Sequence, residues 1–206
     1  MTDTIPALDE VGAARADLLR YLSACFYEPT PMFAEERMFE AMQAAAARVD
    51  PALGDLARQL GQAFEADDLQ TLLVDYTRLF LGPVDARARP YGSVWQTGEP
   101  TLMQDTTMAL LSLYRDAGFE MDESFRDLPD HIAVQLECLY ALAFRRLDAR
   151  RQGDAQAEAQ CAVLERRLLD EHLGTWVGRF TQAMAQGAQT GFYRTLAGLT
   201  QRVVGG

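Results

Sequence analysis

Few side chains in this 206-residue chain have the chemistry for catalysis or metal binding. Its two histidines, His131 and His172, are too few for a three-histidine zinc site or for a di-iron bundle, which needs a Glu-x-x-His on each of two helices. The three cysteines, Cys25, Cys138 and Cys161, are widely spaced, odd in number and without a Cys-x-x-Cys pair. That pattern disfavours a disulfide framework and a zinc ribbon, and reduced thiols are expected. No Gly-x-Ser-x-Gly elbow and no Gly-x-Gly-x-x-Gly turn is present. All nineteen basic residues are arginine, and without lysine neither a P-loop nor a Schiff base can form. The adjacent pair Asp130-His131 carries an acid and an imidazole, yet neighbours on a helix point about 100° apart. Asp130 reads more simply as a first-turn carboxylate at a positive helix end. His131 shares a face with Gln135 and Cys138, a poor set of metal ligands. No catalytic residue, no metal and no cofactor are expected.

The charge balance points to a partner instead. Thirty acidic residues against nineteen arginines leave a net charge of −11. Such a field repels the phosphate backbone of nucleic acids and attracts a basic peptide or protein. The opening residues are acidic where a secretory signal would be basic, no apolar run reaches membrane-spanning length, and no asparagine is available for glycosylation. A cytoplasmic protein is expected, with no membrane insertion.

Apolar residues recur at helical spacing along most of the chain, as in Leu69, Leu72, Leu73, Tyr76, Leu79 and Phe80, while strict alternation is nearly absent. The prediction is an all-α fold of about nine helices, near 8–27, 32–48, 52–65, 68–81, 101–117, 129–151, 154–171, 175–186 and 190–204. Pro31, Pro51 and Pro129 suit first turns, and Gly118 and Gly174 suit left-handed helix ends. The helix from 129 is apolar on most sides, which marks it as a central pillar. Arg-Arg pairs at 145–146, 150–151 and 166–167 read as solvated faces, with Arg150 in reach of Asp154.

Two stretches break the pattern. Residues 81–100 hold three prolines and three glycines, which is long for a plain connector and therefore a candidate functional loop. Residues 116–130 carry six acids against Arg126 alone. They suit a hinge between an amino-terminal lobe of about 1–117 and a carboxy-terminal lobe of about 129–206, within one domain over 1–206. Trp95 in the loop must either pack inward with its N–H paired or await a partner. Tyr76 and Phe80 fit a buried stripe or a groove wall equally well.

The same stretches carry a resemblance. Tyr76-Thr77-Arg78-Leu79-Phe80-Leu81-Gly82-Pro83 resembles the Tyr-x-x-Leu-Phe-x-Gly-Pro run of the TorD/DmsD/NarJ family, and Pro90-Tyr91-Gly92-Ser93-Val94-Trp95 resembles its Pro-(aromatic)-x-Ser-Val-(aromatic) loop. Leu128-Pro129-Asp130-His131 through Gln135-Leu136 resembles its Pro-Asp-His-x-x-x-Glu-Leu signature, with Gln135 where glutamate is usual. Tyr21-Leu22-Ser23 and Phe26-Tyr27-Glu28-Pro29 resemble its first helix. The resemblance implies an all-helical cytoplasmic chaperone for molybdopterin-containing oxidoreductases exported by the twin-arginine pathway. Such a chaperone binds the precursor's signal peptide, its apoenzyme or both, and delays export until the cofactor is in. It is a monomer or a domain-swapped dimer. Guanine nucleotide is a further ligand implied for some members, for which Arg87, Arg89 and helix amino termini are the donors at hand. The client-binding residues implied are Tyr76, Phe80, Pro90, Tyr91, Ser93, Trp95, Asp130, His131 and Gln135, with Glu137 or a neighbour substituting for the missing carboxylate at 135. A helical assembly scaffold or regulator with no signal-peptide contact is the alternative.

Overall fold

Caps and turn residues convert the apolar repeats into discrete helices. The structure, a computed structural model, describes residues 4–82, 86–97, 105–120 and 128–205. Along the chain lie α1 (Thr4–Ala24), α2 (Met32–Glu35), α3 (Met38–Val49), α4 (Pro51–Ala66), α5 (Leu69–Tyr76), α6 (Gly92–Thr97), α7 (Asp105–Asp116), α8 (Ile132–Gln152), α9 (Ala155–Arg167), α10 (Gly174–Gly187) and α11 (Gly191–Val204). Wider π-helical turns extend α5 over Thr77–Leu81 and join α9 to α10 over Leu168–Leu173. Strand pairing among the described residues is a single antiparallel bridge between Tyr91 and His131.

Several ends follow the expected chemistry. Asp50 accepts from the Ala52 amide at 2.8 Å with Pro51 in the first turn of α4, and Asp68 accepts from the Thr71 amide at 2.7 Å at the start of α5. Gly118, at φ +57°, closes α7 with paired hydrogen bonds from Gly118 N to Arg115 O and from Phe119 N to Tyr114 O. Arg145 reinforces that end by donating to the Ala117 and Gly118 carbonyls.

Other ends differ from the sequence reading for identifiable reasons. The helix expected over 32–48 breaks at Arg37, which takes a left-handed φ of 55°. Gly174 is right-handed and interior: its amide donates to the Leu169 carbonyl five residues back, and a Cβ there would lie 2.4 Å from that oxygen. The glycine therefore serves the close approach that a π turn creates. Pro129 lies in the turn ahead of α8, with its carbonyl accepting from the Tyr114 hydroxyl at 2.9 Å. Within 81–100 the chain forms α6, where only loop was expected. Arg150 pairs with Glu158 and Asp9, while Asp154 caps α9 through the Ala157 amide. The Arg146 side chain reaches the buried Glu165 carboxylate at 3.1 Å. Residues 101–104 of the expected α7 and residues 121–127 of the acidic segment 116–130 lie outside the described residues.

Helix α8 runs through the middle, buried at eleven of its positions, with α1 along one side and α9 along another. Phe144 of α8 and Val11 of α1, both apolar, are exposed at 55% and 42%. Elsewhere α3 packs on α4 and α1, and α11 on α10 and α4. The core is continuous from α1 to α11, so residues before 117 and after 129 share it. Edge-to-face and tilted aromatic contacts join Phe26, Phe80, Phe180 and Tyr193 at its centre.

One buried polar knot ties the chain's two halves together. The Asp75 carboxylate, 1% exposed, accepts from the Gln189 and Thr190 amides at 2.9 and 2.8 Å, from the Thr190 hydroxyl at 2.8 Å and from Arg78 Nη2 at 3.1 Å. A side chain of α5 thus satisfies amides ahead of α11, and Arg78 also donates to the Gly187 carbonyl at the end of α10. Removing the carboxylate strands buried donors and a guanidinium, a loss of about 3 kcal/mol or more. Asp75→Ala is therefore expected to lower the thermal midpoint by on the order of 10 °C, at roughly 2–4 °C per kcal/mol for a chain of this size, as read by circular dichroism.

Candidate functional site

The two irregular segments meet face to face. The Ile132 amide donates to the Pro90 carbonyl at 2.8 Å and the Gly92 amide to the Asp130 carbonyl at 3.0 Å, which builds the Tyr91–His131 bridge. From this crossing α6 and α8 start side by side, and residues 130 and 131 cap them both. The Asp130 carboxylate accepts from the Ser93 amide at 2.9 Å in the first turn of α6, and His131 Nδ1 accepts from the Ala133 amide at 3.1 Å in the first turn of α8. Asp130 therefore stabilises the start of α6 and not the start of its own helix. The chemistry is that of any cap: amides that the helix leaves unpaired find a side-chain acceptor.

Gln135, one turn into α8, donates from Nε2 to the Asp130 carbonyl at 2.9 Å and fixes the turn from below. Ser93, Asp130, His131 and Gln135 are all buried, at 1–3% exposure. Pro90 is buried as well, and Tyr91 is half-buried with its ring edge-on to His131 at 5.4 Å. The half-buried Trp95 indole donates to the Arg89 carbonyl at 2.7 Å and meets Phe180 edge-on at 6.1 Å. Tyr76 and Phe80 lie in the core, 5.2 Å apart in a T-shaped contact. They sit where α5 passes into its π turn, whose Arg78 and Leu79 carbonyls accept from the Arg87 and Ala88 amides of the loop at 3.4 and 2.8 Å. Six of the nine residues singled out in the sequence, from Pro90 to Gln135, thus gather at one crossing, with Trp95 at its side and Tyr76 and Phe80 beneath.

The first helix also reaches this crossing. Ser23 donates to the Ala133 carbonyl at 3.0 Å and to Glu137 at 3.3 Å, Tyr27 donates to the same Glu137 oxygen at 2.7 Å, and the Tyr27 ring stacks on His131 with centroids 6.2 Å apart. Glu137 is thus engaged in joining α1 to α8. Sequence reasoning quoted Ser23 and Tyr27 without assigning them a role. Their signal is a pair of hydroxyls four residues apart at the close of the apolar first helix, matched by Glu137 in the largely apolar first two turns of α8. Trp176 of α10 and His172 of the preceding π turn, both buried against Gln135 and Asp130, left no such trace.

Burial sets the titration of the neighbouring groups. It pushes the Cys138 thiol up to about 12 and the Tyr114 hydroxyl well above its ordinary range. It holds the His172 imidazole below its ordinary value, against the opposing pull of Glu171. Among the described residues no three His, Cys, Asp or Glu side chains cluster as a metal site would require, and no helix is long and apolar enough to cross a membrane. The arrangement is a hydrogen-bonded frame beneath the loop residues from Pro90 to Trp95. Its acid and its imidazole are occupied in holding backbone amides.

The described residues thus form an all-helical frame of interlocked segments whose buried polar groups serve as caps. Residues 43–182 match the family described as nitrate reductase delta subunit. Among curated proteins, the chaperone protein TorD of Vibrio parahaemolyticus is 27% identical, over 72% of this chain and 68% of that one. The TorD of Shewanella loihica is 26% identical over 95% and 93%. The Tat proofreading chaperone DmsD of Salmonella typhimurium is 28% identical over 67% of this chain, a match spanning 61% of the DmsD length. A crystal structure from Archaeoglobus fulgidus, provisionally described as a redox enzyme maturation protein, shares the fold with a TM-score of 0.56 at 19% identity, covering 91% of each chain. The chain belongs to the TorD/DmsD/NarJ family of redox-enzyme maturation chaperones.

Two outcomes follow from the geometry. Asp130→Ala leaves the Ser93 amide without its acceptor and is expected to cost about 1–2 kcal/mol, measured by urea denaturation. His172, held neutral by burial, binds its proton more weakly in the folded chain than in the unfolded one. Its contribution to stability is therefore present above the unfolded pKa of about 6.5 and is lost as pH falls through that value towards the folded pKa. His172→Gln is expected to flatten the decline in the denaturation midpoint between pH 7.5 and 5.5 relative to the parent protein.

Proposed function

We propose that this chain is the cytoplasmic, system-specific chaperone of a molybdopterin-containing oxidoreductase. In this reading it binds the twin-arginine signal peptide of the precursor, together with or in place of the apoenzyme body, and holds the client until its cofactor is inserted. No bond is made or broken by the chaperone. The observation that carries the reading is the convergence of all four motif segments on one frame, with the half-buried Tyr91 and Trp95 beside it. Tyr91 and Trp95 are the contact residues of this proposal. Pro90, Ser93, Asp130, His131 and Gln135 position them, and Tyr76 and Phe80 support the loop from the core. The TorD and DmsD relatives, the latter a Tat proofreading chaperone, and the −11 charge agree with a basic leader as the ligand.

Calorimetric titration of the client's leader peptide tests the proposal. Binding is expected and should weaken from low to physiological salt, since exposed charge pairs are screened over a Debye length of about 8 Å at 0.15 M. Trp95→Ala should weaken it by about 30-fold, corresponding to an aromatic anchor of roughly 2 kcal/mol, while the variant stays helical. If no cognate leader and no apoenzyme binds, a scaffold or regulator without client contact takes the place of this reading.

A further inference from the structure

Beneath the crossing, the polar groups of four helices converge on one small cavity. Its volume is about 10 Å³, and Asp130, Gln135, Trp176, Thr106 and Gly92 are among its walls. Four side-chain atoms there have no hydrogen-bond partner within the chain: Asp130 Oδ1, Gln135 Oε1, Trp176 Nε1 and Thr106 Oγ1. The first three residues are each at most 3% exposed. The other carboxylate oxygen of Asp130 is taken by the Ser93 amide. Gln135 Nε2 is taken by the Asp130 carbonyl, which fixes the amide orientation and leaves Oε1 as the unpartnered atom, since the flipped amide would oppose two acceptors.

A buried polar atom left without a partner is destabilising, so four around one cavity call for a common partner. Two of the four are acceptors, one is an obligate donor and the threonine hydroxyl can be either. That set complements a single water molecule, which donates twice and accepts twice. The volume agrees, because a site of about 10–15 Å³ holds one water and nothing larger. The Trp176 N–H turns its positive end inward and opposes a cation. Gly92 is part of the design: a Cβ there would lie 2.9 Å from Trp176 Nε1 and 3.4 Å from Gln135 Nε2.

We infer that this cavity is a built site for one internal water, which donates to Asp130 Oδ1 and Gln135 Oε1 and accepts from Trp176 Nε1–H and Thr106 Oγ1–H. The water joins α7, α8 and α10 to the carboxylate that caps α6, so the frame beneath the loop is closed through solvent. This inference is independent of which client the loop meets.

A crystal structure of the unliganded protein at 2 Å or better is expected to place one ordered water within about 2.7–3.2 Å of Trp176 Nε1 and Asp130 Oδ1. Oxygen-17 relaxation dispersion of the same protein should count one long-lived internal water more than Gln135→Met, whose thioether fills the site without a strong acceptor. Direct donation from Trp176 to Asp130 or Gln135, a metal ion in the density, or equal dispersion amplitudes for the two proteins would overturn it. Should Gln135→Met fail to fold, the parent crystal structure decides alone.

Discussion

The hydrogen bond from the Ser93 amide to the Asp130 carboxylate, 2.9 Å long and buried, spans 37 residues of sequence and sets the geometry around it. A helix start leaves its first amides unpaired, and α6, only six residues long, contributes little stability of its own. The capping acceptor comes from the neighbouring segment, so α6 can begin only where Asp130 is. Asp130 is in turn held by Gln135 and by the Tyr91–His131 bridge. His131, capping α8, stacks against Tyr27, whose hydroxyl is anchored on Glu137. Each group is positioned by the next, and the chain of dependence closes within four segments. This explains how the loop residues from Arg89 to Trp95 are tied to a helical core.

The helical class and most of the helices were legible because 3.6-residue periodicity survives in Leu69 to Phe80 and in α8. What periodicity cannot register is a change of pitch. The π turns at 77–81 and 168–173 keep the apolar stripe while rotating it by one residue, and Gly174 then resembles a helix end although its glycine answers to the Leu169 carbonyl. The break at Arg37 was hidden for another reason, since nothing in its residue type announces a left-handed backbone.

At the site, the proximity of Pro90–Trp95 to Asp130–Gln135 followed from the motif resemblance, and the direction of the caps did not. Asp130 sits one residue ahead of His131 and looks like a first-turn acid of α8. Its carboxylate is spent on α6, because His131 already occupies the capping position. A cap donated across 37 residues leaves no local pattern. The same holds for Asp75, which sits in an apolar stripe and reaches Thr190 through the core. A lone acid amid leucines signals that a partner exists, and only the tertiary fold says which.

The long sequence separation of these links bears on how the molecule assembles. Ser23 meets Ala133 across 110 residues and Asp75 meets Thr190 across 115, whereas most helical bundles are stitched by near neighbours. Individual helices can form within microseconds, but the capped crossing needs distant parts of the chain to have found each other first. Loop closure over such distances is entropically costly before it is rewarded. The crossing is therefore expected to form late, so that a chain still folding would present no finished loop surface to anything that would bind it.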